Sequence, residues 1–193
     1  MTDLIEEIGG VIVSPWETLE NISKKEDIRS AFIIVLIASI LSGMHTILLP
    51  EMRAMFEILG VGIDYTILFV FSLVLGLIGW VLSAGIYRLI AMMLGGNGSY
   101  NKVLQLLGYA YAMYFVYLPV SAFVMIALPV LSGVITLIGL IWALILSVFA
   151  ISIAEGFSKL RAIATVVIGI IAVVILFVIG AVIMMAAFMP VLM

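Results

Sequence analysis

From Val103 to Ala154 the chain runs for 52 residues without a charged side chain. A membrane-crossing helix needs about 20 mostly apolar residues, so this run is too long for one crossing and long enough for two. Proline lacks a backbone N–H and clashes with the preceding turn. Pro129 therefore predicts a hairpin between helices over 103–128 and 130–154, and Pro119 predicts a kink in the first of them. Three more apolar runs extend the pattern: 31–49, stopped by Pro50; 67–91, with Arg88 near its end; and 162–189, ended by Pro190. The fold class that follows is all-α, a polytopic membrane bundle of five transmembrane helices with short amphipathic N-terminal helices. The expected division is a cytoplasmic amphipathic segment over 1–30 and a transmembrane domain over 31–193.

Composition agrees and excludes several functions. Of the 193 residues, 66% are hydrophobic and 10% charged, against about 25% charged in soluble domains. With no cysteine there is no disulfide, no thiolate nucleophile and no cysteine metal site. A net charge of −3 argues against nucleic acid as a partner, which calls for a clustered basic surface. The polar, acidic first 30 residues lack a basic segment leading into a short apolar run, so no cleavable signal peptide is expected.

The connections carry start and stop signals. Gly95-Gly96-Asn97-Gly98-Ser99 reads as a turn with Ser99 as helix cap, and Gly156 with Ser158 separates helices four and five. Met52, Met55, Phe56 and Leu59 recur at helical spacing within Glu51–Asp64, predicting a short interfacial helix. Near the N-terminus, Ser14-Pro15-Trp16-Glu17 and Ser23-Lys24-Lys25-Glu26 both have capping-box spacing, the second leading into the first crossing. Before them Leu4, Ile5, Ile8, Val11 and Ile12 form an apolar stripe opposite Asp3, Glu6 and Glu7, predicting a helix that lies on the membrane or packs under the bundle. Lys24, Lys25, Arg29, Arg88, Lys102, Lys159 and Arg161 fall on one side of the five crossings and Arg53 alone on the other. Basic residues concentrate in cytoplasmic loops, so the expectation is a multi-pass protein of the cell membrane with its N-terminus in the cytoplasm and its C-terminus outside.

Ser14-Pro15-Trp16 before the first crossing, Gly95-Gly96-Asn97-Gly98-Ser99-Tyr100 after the second, Gly108-Tyr109 in the third, Trp142 in the fourth and Ser158-Lys159-Leu160-Arg161-Ala162 at the start of the fifth together carry a resemblance. In their order and five-helix layout, over nearly the whole chain, they resemble the Yip domain family of Ypt/Rab-interacting membrane proteins, in its prokaryotic form. The resemblance implies a cytosolic N-terminus and five crossings; eukaryotic members of the family are associated with Rab-type GTPases and vesicle traffic. This chain departs from them. It has no long cytosolic N-terminal region, and Val13-Ser14-Pro15-Trp16 stands where they carry an Asp-Leu-Tyr-Gly-Pro type segment. The resemblance therefore does not carry Rab binding over to it.

Charged groups within a membrane are costly and usually functional. Arg88 lies about 21 residues into its helix, roughly 32 Å along it, which puts it at the level of Glu155. The two are candidates for an ion pair, or Arg88 reaches lipid phosphate while Glu155 faces water. His45, the only histidine, lies toward the outer leaflet, with no ionisable neighbours of the kind that a proton relay needs; a buried, hydrogen-bonded histidine is expected. Tyr111, Tyr114 and Tyr117 follow at three-residue steps on one face of helix three, and either line a cavity together with His45 or pack against neighbouring helices. Gly139, Ala143 and Ser147, with Gly79 and Ser83, form small-residue ladders suited to close helix packing or to a homo-oligomer. Neither the Gly95–Gly98 turn nor Gly9-Gly10 is a nucleotide-binding motif.

No nucleophile–base set, cofactor site or metal site emerges. The expected function is a non-catalytic scaffold or adaptor, with Pro15 and Trp16 in the N-terminal segment facing a cytoplasmic protein partner and the rest in contact with membrane lipids. The alternative is a small transporter or channel for a neutral or lipid-like solute.

Overall fold

The computed structural model describes residues 2–25, 27–49 and 64–192. Helices α1 (Thr2–Val13) and α2 (Pro15–Ile22) precede α3 (Ile28–Leu48) and α4 (Tyr65–Met93). The third crossing is α5 (Tyr100–Ala110), a 3₁₀ turn over Tyr111–Met113 and α6 (Tyr114–Met125). Then come α7 (Pro129–Glu155) and α8 (Lys159–Leu192). Five segments are long and apolar enough to cross a membrane: α3, α4, α5 through α6, α7 and α8. The interfacial helix expected over Glu51–Asp64, Arg53 included, falls outside the described residues except for Asp64, whose carboxylate caps α4 by accepting from the Thr66 and Ile67 amides at 2.8 and 3.3 Å.

The helix starts correct two expectations. α3 is capped by Asp27, not by a Ser23 box. Its carboxylate accepts from the amides of Arg29 and Ser30 at 3.1 and 3.3 Å and from the Ser30 hydroxyl at 2.5 Å. An anion is the better cap at the positive end of the helix dipole. Ser23 instead closes α2, donating to the Glu20 carbonyl at 2.7 Å. At Ser14 the side chain makes no cap bond; the turn is set by the fixed φ of Pro15 at the first helical position. In the third crossing the change of hydrogen-bond register falls at Tyr111–Met113, while Pro119 sits inside α6.

α5 is the centre of the bundle. Every residue from Val103 to Ala110 is buried, with α3, α4 and α7 around it. Helices that close need small residues at the contact. A Cβ at Gly108 would meet that of Ala31 at 2.8 Å, and one at Gly76 would overlap Ser39. Gly139 lies under the ring of Tyr117 and Gly169 under that of Tyr87, both too close to admit a side chain. Of the two glycines in the expected ladders, Gly139 makes such a contact and Gly79 does not, since a Cβ there would meet nothing within 4 Å.

α1 and α2 pack under the bundle. Val11, Leu19 and Ile22 are fully buried in its core, α2 lies against α7, and Leu4, Ile8 and Ile12 turn inward with them. The stripe is shifted from the expected one: Ile5 is 72% exposed and Glu7 points inward. Glu7 is three and four residues from Leu4 and Val11, so on a helix it shares their face.

Candidate functional site

The helix ends that carry Lys24, Lys25, Arg29, Arg88, Lys102, Lys159 and Arg161 meet at one end of the bundle, here called the basic end, and most of the polar architecture gathers there. Its centre is Glu155, the last residue of α7 and only 1% exposed. One carboxylate oxygen lies 2.8 Å from an Arg88 guanidinium nitrogen and accepts from the Gly98 amide at 2.9 Å. The Glu155 backbone carbonyl accepts from the Asn97 amide at 3.1 Å, and Arg88 also donates to the Gly96 carbonyl at 3.4 Å. The other carboxylate oxygen is buried without a hydrogen-bond partner. This explains the glycine-rich turn. Gly95 has φ +85, and a Cβ on Gly96 or Gly98 would strike the Glu155 carboxylate or the Ala154 carbonyl. The backbone passes too close to the buried acid for any side chain, and Arg88, Glu155 and the turn tie α4, α7 and α5 together.

The N-terminal helices are bonded to this end. Glu7 takes a 2.8 Å ion pair from Lys25 on one oxygen and the Tyr109 hydroxyl at 2.5 Å on the other. The hydrogen bond and the charge of Glu7 hold the Lys25 ammonium above its ordinary pKa. The bond from Ser30, foremost, and the amides of the α3 start hold Asp27 below the usual carboxylate range. Gln105, buried in α5, donates to the carbonyls of Ile22 and Lys25 at 3.3 and 2.8 Å, fixing the loop between α2 and α3. Trp16, beside the half-buried Pro15, meets Phe149 of α7 edge-on at 5.6 Å. The Lys159 ammonium lies 4.4 Å from the indole ring. Trp16 thus faces the bundle with about a third of its surface exposed, and its contacts are with this chain.

Toward the opposite end the polar groups are hydroxyls. His45, buried on α3, lies 3.1 Å from the Ser121 hydroxyl, which is 2.8 Å from the hydroxyls of both Ser132 and Thr136. His45 borders a cavity of about 470 Å³ along with Ser132 and Thr136. Tyr111 and Tyr114 stack with centroids 5.1 Å apart, and the Tyr117 ring lies tilted against Tyr114 at 5.2 Å. Tyr111 and Tyr114 separate two further cavities, of about 350 and 190 Å³. Ala143 and Ser147 line the larger, Gly79 the smaller, and Ser83 both. Tyr117 is buried over Gly139. So the structure brings Tyr111 and Tyr114 to common cavities, sets His45 at a separate one, and packs Tyr117 away.

A family model described as the Yip1 domain matches residues 9–183. The chain belongs to the Yip1 domain family. Neither the curated proteins nor the solved structures contain a match to it.

Within this Yip1 domain, the match takes in α2, the glycine turn, Arg88 and Glu155, so the knot at the basic end lies inside the family's own extent. Sequence reasoning placed Arg88 and Glu155 at one level but missed Glu7, Tyr109, Gln105 and Asp27. Gln105 had a signal: an amide between Leu104 and Leu106 in an otherwise apolar run requires a partner once buried.

Proposed function

We propose that this Yip1 domain protein is a non-catalytic scaffold of the cell membrane that holds a helical platform at the cytoplasmic face for a protein partner. The observation that carries the reading is the state of α1 and α2. They are fixed to the bundle through Val11, Leu19, Glu7 and Gln105, and their outward sides still expose Ile5 and Val13 among Asp3, Glu6, Glu17 and Glu20. Apolar side chains left out of a packed helix pair, ringed by carboxylates, suit a partner with an apolar centre and a basic rim. Because α1 and α2 are already ordered, a partner does not pay to order them. The site differs from the one expected at Pro15 and Trp16, of which Trp16 packs against Phe149 and Lys159.

Photo-crosslinking in native membranes tests this, with photoreactive residues at Glu6 and Glu17 and a buried control at Tyr117. The expected result is one discrete protein adduct at both outer positions, abolished by Ile5→Glu with Val13→Glu. Lipid adducts alone at both positions would overturn it. A second reading, the holding or passage of a neutral or lipid-like solute, draws on the cavities that Tyr111 and Tyr114 divide. Solute flux in proteoliposomes that is indifferent to Tyr111→Phe with Tyr114→Phe would count against it.

A further inference from the structure

Beside the Glu155 knot, where α3 and α5 both begin, lies a cavity of about 680 Å³ bordered by Lys24, Lys25, Arg29 and Lys102, with Ser99 and Gln105 at its wall. It falls within the usual volume range of small-ligand sites. Its charge is unbalanced. Lys25 is paired to Glu7, but Lys24, Arg29 and Lys102 have no carboxylate within ion-pair distance among the described residues. The one described acid at its border, Asp27, has both oxygens turned to the cap of α3. Glu26 is outside the described residues; with its charge counted in full, the three unpaired cations still exceed the two acids. Both helices that start here direct the positive ends of their dipoles toward it.

We infer that this cavity binds the phosphate of an anionic phospholipid headgroup. Phosphate chemistry follows from the cations and the two helix starts. The lipid, as against a free anion, follows from the surface below. Phe32 and Ile33, one turn along α3 from Arg29, are exposed and apolar and share its side of the helix. A headgroup held at Arg29 thus has its acyl chains against Phe32 and Ile33. Basic sites between crossings at the membrane surface are of the kind that select anionic lipids. The inference is independent of any protein partner on α1 and α2.

The test is native mass spectrometry of the full chain in detergent, titrated with phosphatidylglycerol, phosphatidylcholine or inorganic phosphate. Lys24→Gln with Lys102→Gln removes two cations of the cavity. Lys159→Gln with Arg161→Gln removes two at the same end but away from it. Phosphatidylglycerol is expected to bind in preference to phosphatidylcholine, to weaken about 30-fold in the first pair and to hold in the second. Arg29→Gln alone, which leaves both lysines in place, is expected to weaken it about fivefold. Inorganic phosphate binding with the same dependence on Lys24 and Lys102, without lipid preference, would overturn the lipid as the occupant. Equal losses in the two pairs, or no preference and no phosphate binding, would overturn the site itself.

Discussion

At the scale of single residues, the Arg88–Glu155 pair is asymmetric in what its loss costs. The Glu155 side chain is wholly enclosed, while that of Arg88 keeps about a fifth of its surface open. Removing one partner of a buried pair costs about 3–5 kcal/mol because the other charge is left uncompensated. Arg88→Leu strands the enclosed carboxylate and is expected to cost in that range. Glu155→Gln leaves an arginine able to turn its head outward and is expected to cost about 1–2 kcal/mol. Thermal unfolding in detergent ranks the two, and equal or reversed losses would refute the asymmetry. Asp27 gives a pH dependence. Its pKa is lowered on folding by the Ser30 bond and the α3 amides, so its contribution is present above the ordinary carboxylate value of about 3.9 and is lost as pH falls through the folded value. Asp27→Ala is expected to cost about 1 kcal/mol at pH 7. The gap to the native protein should narrow only as pH falls below the ordinary carboxylate range and through the lowered folded value, where the native cap takes up its proton.

At the scale of elements, the helices hold their distances through particular glycines, and these were the least visible in the sequence. Gly139→Ala pushes a methyl into the Tyr117 ring, and overpacking of this kind costs about 1–3 kcal/mol. Gly133→Ala, six residues away on the same helix with nothing within 4 Å of the added carbon, is expected to be neutral or to stabilise by up to about 1 kcal/mol. Unfolding midpoints of the two variants measured side by side check the pair, and a loss at Gly133 as large as that at Gly139 would mean that the Tyr117 contact does not decide the cost. The small-residue spacing at Gly139, Ala143 and Ser147 was legible, but the spacing does not show which member meets a ring and which lines a cavity; that depends on the rotation of α7 against α6. The helices themselves were legible because uncharged runs of this length have few folds open to them. The 3₁₀ turn at Tyr111–Met113 was not, since no proline or glycine marks it.

At the scale of the whole molecule, the remaining question is which way the bundle crosses the membrane, and the arrangement of charge supports one answer. The seven described basic side chains from Lys24 to Arg161 all flank the basic end, and such residues are retained on the cytoplasmic side. The docking of α1 and α2 strengthens the expectation. Thr2 to Lys25 is not a free tail that translocates by itself, because Glu7, Gln105 and Trp16 bind it to α5 and α7 at that same end. In sequence this segment showed an amphipathic stripe but not its docking, since an apolar helix face suits a lipid surface and a bundle underside equally. Placement came from pairings distant in sequence, Glu7 with Tyr109 and Lys25 with Gln105. The absence of cysteine makes the orientation directly measurable, because one introduced thiol is the only one present. Glu17→Cys reports the outer side of α2, and Ile126→Cys, 87% exposed, reports the hairpin between α6 and α7 at the opposite end. In intact cells a membrane-impermeant maleimide is expected to label Ile126→Cys and spare Glu17→Cys, and to label both after the cells are opened. Labelling of Glu17→Cys in intact cells would invert the orientation, placing the α1–α2 platform outside the cell and ending its proposed role as a cytoplasmic docking surface.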